Sequence, residues 1–184
     1  MKKGANKSFR GFTIIEVALV LAIAGLIFLM VFIALPGLRA SQRDAERREN
    51  VAMFLESVKK YQTNNRGALP TGSGNITWNS AKNASSSQTG TWTGFYRDYL
   101  GENFMDPAGV NYTLTVVNCG VSVAETNCTG ETNSTQNASF PNGYKIVVVK
   151  QATCKGSEAV ATNNPRKIAV INKLEGAGVY CSNT

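Results

Sequence analysis

Residues 11–38 read GFTIIEVALVLAIAGLIFLMVFIALPGL, and Glu16 is the only charged side chain among them. The 22 residues from Val17 to Leu38 carry no charge. As an α-helix they would span about 33 Å, close to the ~30 Å hydrocarbon core of a bilayer. A buried helix of a large soluble domain is the alternative, but the length and the flanking residues favour a membrane span. We therefore expect residues 12–38 to form a membrane-spanning helix.

Glu16 lies near the start of this apolar stretch, where a carboxylate needs a partner. Insertion scales assign about 2.5–3.5 kcal/mol to a charge at the bilayer centre. One reading is a capping box, since Thr13 and Glu16 have the spacing at which the two residues bond to each other at a helix start. A second reading needs cleavage after Gly11, which would free the α-amine of Phe12 as a cation that Glu16 could neutralise. That amine could belong to the same copy or to a neighbouring copy, and the cap could serve before assembly.

The residues before this stretch are basic and end in glycine. The four cations are Lys2, Lys3, Lys7 and Arg10. They supply +4 of the net charge of +7, which leaves only +3 for the rest of the chain. Because Lys and Arg beside a spanning helix stay in the cytoplasm, the long C-terminal part is expected outside. The small remaining excess does not indicate nucleic-acid binding by charge alone.

Charge density rises after Leu38, yet apolar side chains continue to recur at helical spacing as far as Tyr61. This pattern predicts one long helix over residues 12–61, spanning at first and then amphipathic. A coiled-coil seam is the alternative for the second half. The apolar repeat is too short for sustained heptads, so this face should pack on a sheet of the same chain.

Residues 62–184 are predicted to form a globular head. The first part, residues 62–111, has the Gly, Ser, Thr and Asn content of a long connecting loop. Strand-like runs follow in residues 112–184: Tyr112–Val117, Tyr144–Val149, Ile168–Ile171 and Val179–Cys181. The predicted fold class is therefore α+β, with a long N-terminal helix packed on a small antiparallel β-sheet.

All four cysteines lie in the part expected outside: Cys119, Cys128, Cys154 and Cys181. An even number in an oxidising compartment favours two disulfides over a metal site, and the pairings Cys119–Cys128 and Cys154–Cys181 would each close a sequence-local loop. The chain contains no CxxC pair and no histidine. This weakens metal ligation and removes Ser-His-Asp and Cys-His catalysis. The sequence thus points to no metal, no cofactor and no enzymatic activity.

The run RGFTIIE at residues 10–16, leading into an apolar helix, resembles the signature of the type IV pilins. Their precursors have a short basic leader ending in Gly, then Phe, then Glu as the fifth residue of the mature chain. The resemblance is strongest over residues 8–61. It implies that a prepilin peptidase removes residues 1–11 by cutting between Gly11 and Phe12, and that it N-methylates Phe12. It also implies that Glu16 neutralises the N-terminal amine of a neighbouring subunit.

The same resemblance gives a role to three residues that disfavour a regular helix, Gly25, Pro36 and Gly37. Proline lacks a backbone donor and clashes with the preceding turn, so a kink or a looser helix is expected near Pro36. In the family, this part of the helix can lose regularity when the subunit leaves the membrane.

The function implied by the resemblance is structural. A membrane-anchored precursor, with its N terminus in the cytoplasm and its head outside, would polymerise through its hydrophobic helix into an extracellular type IV pilus. The implied partners are further copies, the prepilin peptidase and the pilus assembly machinery. Host or other surfaces are further expected partners, for adhesion and twitching motility, and a nucleic-acid partner stays open.

Two other classes of protein compete with this reading. One is a pseudopilin of a type II secretion or competence system. The major secretion pseudopilins carry a calcium site built from acidic groups, whereas only four Glu and no Asp follow Asp106 in this chain. The other is a membrane-anchored enzyme or binding protein whose head acts alone, for which the sequence offers no catalytic constellation.

Overall fold

The computed structural model describes residues 11–119, 145–175 and 178–184. The chain divides into two compact units, Met1–Arg39 and Ala40–Thr184. Helix α1 runs from Ile14 to Asn64 and contributes to both. The second unit contains every other helix and strand, and it forms the head.

Helix α1 ends three residues later than the sequence indicates, because its last turn is closed by backbone hydrogen bonds. The N–H of Asn65 donates to the carbonyl of Tyr61 (2.9 Å), and the N–H of Gly67 donates to that of Gln62 (2.7 Å). The chain leaves the helix through Arg66 and Gly67, which have φ values of 54° and 83°. Glycine suits this position because positive φ costs it nothing.

Two sheets lie in the described part of the head. The larger has five strands in the order β1-β2-β3-β6-β7, and the smaller pairs β4 with β5. The strands are β1 (Gly74–Ile76), β2 (Thr113–Asn118), β3 (Lys145–Lys150), β4 (Ala152–Lys155), β5 (Glu158–Ala161), β6 (Ile168–Leu174) and β7 (Gly178–Asn183). The α+β architecture predicted from the sequence is therefore present, with α1 packed on a sheet.

The large sheet is mixed rather than purely antiparallel. Strands β2 and β3 run parallel, with Thr113 opposite Lys145, whereas the other neighbouring strands are antiparallel. Parallel neighbours need a long connection, and residues 119–144 separate these two strands in the sequence. Alternating apolar residues identify a strand but carry no information about its direction, so the sequence could not reveal this pairing.

The connection predicted over residues 62–111 contains more regular structure than its loop composition suggests. Besides β1 it includes α2 (Trp78–Lys82), α3 (Trp92–Phe95) and a π-helical turn at Tyr96–Leu100. Thr77 caps α2 by accepting a hydrogen bond from the N–H of Ser80, and Thr91 caps α3 in the same way. Such caps stabilise short helices by satisfying donors that have no helical partner.

The core of the head has two layers, one on each face of the large sheet. An aromatic cluster fills the layer between α1 and the sheet: Phe54, Trp92, Phe95, Phe104 and Tyr112. The backbone at Gly94 lies very close to the backbone at Gln88. A Cβ at Gly94 would lie 2.4 Å from the carbonyl oxygen of Gln88, so only glycine fits there. The β4–β5 hairpin contributes Ala152 and Ala159 to the second layer, on the opposite face of the sheet.

A buried ion pair ties the helix to the loop region of the head. Arg47 of α1 is 2% exposed, and its Nε donates to Oδ2 of Asp106 at 2.7 Å. A second nitrogen of Arg47 contacts Glu175, beyond β6, at 3.0 Å. Above all, the hydrogen bond to Asp106 raises the pKa of Arg47, although burial acts in the opposite direction. Arg47 is therefore a fixed buried cation whose stability depends on its carboxylate partners.

We expect Asp106→Asn to lower the free energy of unfolding of the head by about 3 kcal/mol, because it leaves a buried cation without its main counter-charge. Asparagine keeps the side-chain oxygen that accepts the N–H of Ala108 in the turn. Urea unfolding of the full chain in uncharged detergent, followed by near-UV circular dichroism, measures the change.

The matched control is Glu175→Gln, which removes a more exposed carboxylate from the same guanidinium. It should cost less than 1 kcal/mol, since water screens that contact. Equal losses for the two variants would contradict the importance of the buried pair.

Tyrosine burial predicts a loss of stability in alkali. The pKa of Tyr112 is raised to about 12, mainly by burial. The hydrogen bond from Asn50 acts in the opposite direction and lowers this pKa. Burial also raises the pKa of Tyr96, whose hydroxyl donates to the carbonyl of Tyr112 at 2.7 Å. Because the unfolded phenol ionises near pH 10, stability should be constant below that pH and fall as the pH rises from 10 through 12.

The slope for Tyr112 alone should reach about 1.4 kcal/mol per pH unit over that window. Urea unfolding at intervals from pH 9 to pH 12 measures it. In Tyr112→Phe, the free energy of unfolding should fall less steeply with pH. An unchanged slope in this variant would show that ionisation of Tyr112 does not cause the fall.

Candidate processing and assembly site

Helix α1 begins at Ile14 because Thr13 and Glu16 bond to each other. One carboxylate oxygen of Glu16 accepts the backbone N–H of Thr13 at 3.0 Å and its hydroxyl at 2.9 Å. In return, the N–H of Glu16 donates to the hydroxyl oxygen of Thr13 at 3.4 Å. This reciprocal arrangement is a capping box. It gives one carboxylate oxygen two hydrogen-bond donors but brings no opposite charge to it.

The residues at the expected cleavage site are accessible. Gly11 precedes the helix, is exposed, and has no atom of the described structure within 4 Å of the position a Cβ would take. Phe12 is 88% exposed. A peptidase could therefore reach the Gly11–Phe12 peptide bond without first unfolding a packed structure.

The first unit exposes large apolar side chains on all sides of its helix. They run from Phe12, through neighbours such as Ile14 at 89% exposure, to Leu38. Part of α1 is long and apolar enough to cross a membrane, and none of that part is buried within the structure. An apolar surface of this extent marks a site of contact with lipid or with other proteins.

Gly25, Pro36 and Gly37 all lie inside α1. Apart from the adjoining residues and the helix's own backbone, no described atom lies within 4 Å of a Cβ built at either glycine. Packing inside this unit therefore does not require glycine at positions 25 and 37. Their predicted role in helix flexibility stays a prediction.

One of the two expected disulfides lies within the described residues. Cys154 of β4 bonds to Cys181 of β7, with 5.8 Å between their Cα atoms. The backbone N–H of Cys154 also donates to the side chain of Asn183 at 3.1 Å, so the hairpin is held to the edge of the large sheet twice. Cys119 is disulfide-bonded as well, and its expected partner, Cys128, lies outside the described residues.

Within the described ranges, no group of three or more His, Cys, Asp or Glu side chains is placed to hold a metal ion. The chemistry of the candidate site consists of an accessible peptide bond, one carboxylate and an apolar helix surface. These features fit processing and association.

A family model described as the prokaryotic N-terminal methylation motif matches residues 6–32. The chain thus carries the class III signal peptide of type IV pilins. The motif indicates a type IV pilin or a pseudopilin, a structural class, and the α+β architecture is pilin-like. Comparison with curated proteins and with solved structures gave no significant match.

Sequence reasoning missed the partnership of Arg47 and Asp106. A signal was present in the helix. Arg47 lies four residues before Val51 and therefore on the face that continues through Leu55 and Val58. A cation on the buried face of an amphipathic helix requires a carboxylate partner, although spacing alone does not identify which one.

Proposed function

We propose that this chain is a pilin: the subunit of an extracellular type IV pilus. Residues 12–38 hold the precursor in the cytoplasmic membrane, and prepilin peptidase cuts between Gly11 and Phe12 and methylates Phe12. The observation that carries the proposal is the methylation motif at residues 6–32, which leads into a helix that is apolar on every side.

The apolar surface supports polymerisation because it must remain covered at every stage. Lipid covers it while the precursor is in the membrane. Outside the membrane, only an equally apolar surface can replace lipid at a comparable free energy, and identical helices of other copies supply one. A fibre with the apolar helices at its centre and the heads outside satisfies this requirement.

Glu16 supports a defined register between copies. Its capping box provides hydrogen bonds but no cation. Cleavage after Gly11 creates a cationic amine at Phe12, and in a bundle of identical helices that amine can lie beside the carboxylate of another copy. An unpaired charge in an apolar interior is strongly unfavourable, so helices would slide until the two charges meet.

The disulfide supports the proposed topology. Cys154 and Cys181 are bonded in the head, and such bonds form and persist in oxidising compartments rather than in the cytoplasm. The basic residues before Gly11 favour retention of the N terminus in the cytoplasm. The head is thus proposed to lie outside the membrane, where the fibre serves adhesion and twitching motility through contacts with host or other surfaces.

Electron microscopy of filaments sheared from cells, with mass spectrometry of their main component, tests the pilus directly. We expect long filaments that contain this chain beginning at methylated Phe12 and that disappear when its gene is deleted. The alternative is a pseudopilin, whose short fibre acts inside a secretion or competence machine. Methylated, cleaved chain without surface filaments would favour it.

Gly11→Ile should block processing, since a bulky residue replaces the small one at the cut. The expected result is full-length precursor on gels, with no free Phe12 amine by N-terminal sequencing. Gly4→Ile makes the same change elsewhere in the leader and is expected to leave cleavage intact. Normal cleavage of Gly11→Ile would contradict the assigned site.

Two variants separate the charge of Glu16 from its role in the cap. Glu16→Gln removes the charge but keeps an oxygen for the capping box, whereas Thr13→Val removes the hydroxyl and keeps the charge. If the carboxylate pairs with the amine of another copy, Glu16→Gln should abolish filaments and Thr13→Val should not.

Filament counts by electron microscopy, alongside immunoblots of membrane-inserted protein, make this measurement. Both variants should insert normally, since neither adds a charge to the apolar stretch. The opposite pattern, in which Thr13→Val loses filaments and Glu16→Gln keeps them, would assign Glu16 to the helix cap alone.

A further inference from the structure

A groove of about 550 Å³ lies in the head, and none of its described lining residues belongs to the candidate assembly site. It is formed by the chain that follows α1, by the end of β3 and by the loop before β6. Its lining residues are Arg66–Gly72, Asn118, Lys150, Gln151, Pro165 and Arg166. The volume lies within the range of small-molecule binding sites. All of these residues belong to the unit Ala40–Thr184, so one copy supplies all of the described lining.

Three cationic side chains line this groove: Arg66, Lys150 and Arg166. No acidic residue is among the described residues that line it, and the described ion pairs of the head involve other cations. Three cations that line one concave surface, with no acidic side chain among its described lining residues, create a positive potential that attracts an anion.

The walls of the groove are held together by hydrogen bonds. The ammonium of Lys150 donates to the carbonyl of Gly72 at 3.1 Å, and the side-chain amide of Gln62 donates to the carbonyl of Arg166 at 2.9 Å. The guanidinium of Arg166 packs against Gly67, where a Cβ would lie 3.1 Å from its Cζ atom. The segments that bear these cations are therefore hydrogen-bonded to one another or to α1 rather than being independent loops.

Two further properties set this groove apart from the rest of the head. Arg66 and Gln151, with φ of 54° and 57°, are the only non-glycine residues with positive φ in the described part of the chain, and both line the groove. Such backbone conformations cluster at functional sites. Burial also lowers the pKa of Lys150. A partly desolvated ammonium with one backbone acceptor retains donors for an anion.

We infer that this groove binds the phosphate group of a small ligand, with Arg66, Arg166 and Lys150 as its donors. A phosphate carries close to two negative charges at neutral pH, so it offsets three cations better than a single carboxylate does. The arginine fork matches phosphate oxygens in two places at once, and the lysine adds a point charge. Apolar lining from Leu69, Pro70 and Pro165 leaves room for an organic part of the ligand.

The test is a titration of the full chain, isotope-labelled in uncharged detergent, with inorganic phosphate in one arm and glucose 1-phosphate in the other. We expect saturable amide shifts at Gly67, Thr71, Gly72 and Gln151 at concentrations below about 10 mM. Tighter binding in the second arm would identify a phosphate ester as the ligand, and equal binding would identify free phosphate. Glucose without phosphate should produce no shifts.

Arg66→Asn with Arg166→Gln should weaken binding roughly tenfold or more, since two of the three donors are lost. Asparagine suits position 66 because it tolerates positive φ. The matched control is Lys155→Gln with Lys173→Gln, which removes the same charge from exposed positions outside the groove.

Unchanged binding in the control and weakened binding in the arginine variant would support the site. The inference is overturned if neither phosphate compound shifts the groove amides, or if both double variants weaken binding equally. Should the arginine variant fold poorly, as judged by its melting temperature, Lys150→Gln provides the same test. The titration uses unassembled protein, so its outcome does not depend on whether the chain forms a pilus.

Discussion

The apolar surface of the first unit is the constraint on which the proposed function depends. Side chains from Phe12 to Leu38 are exposed around the whole helix, and water is a poor solvent for all of them. Each Å² of apolar area exposed to water costs roughly 25 cal/mol. The free-energy cost of exposing even part of this surface is therefore comparable to the whole stability of a typical domain. Lipid or other proteins must therefore cover it. In the proposed function, a subunit that leaves the membrane exchanges lipid for the helices of other copies.

The two parts of α1 differ because they meet different environments. In the head, Val51, Phe54 and Val58 are fully buried against the aromatic cluster and the sheet. Arg47 continues the same buried face, and its pairing with Asp106 and Glu175 joins the helix to two separate segments of the head. Loss of the pair would leave a cation in a site with little water. The stability of the head therefore depends strongly on the carboxylates that neutralise Arg47. The helix is thus a fixed part of the head's core from Arg47 onward, by packing and by charge.

The sequence predicted the features that depend on local pattern. The length of the apolar run and the helical spacing after it gave α1, and the β-branched runs gave strands such as β3 and β6. It did not give the parallel pairing of β2 with β3, because that depends on the path of residues 119–144. It also did not give the β4–β5 hairpin, although Gly156-Ser157 between the two strands is a two-residue turn signal. The groove cations were missed for a similar reason. Arg66, Lys150 and Arg166 are far apart in sequence, and the turn after α1 and the end of β3 bring their segments together.

The capping box suggests how one carboxylate can serve both a precursor and a fibre. In the structure, Thr13 donates two hydrogen bonds to one carboxylate oxygen of Glu16. None of the described ion pairs involves Glu16, and an unpaired charge is tolerable where a helix end meets the water and headgroups at a membrane surface. Inside a bundle of apolar helices that water is absent, so the same charge then requires a cation. In the proposed function, cleavage would supply a cation at Phe12, which lies four residues away on the same chain and occurs once on every other copy. Because a charge can be created by cutting a peptide bond, assembly could wait for processing: uncleaved chains would carry the carboxylate into the bundle without the amine that neutralises it.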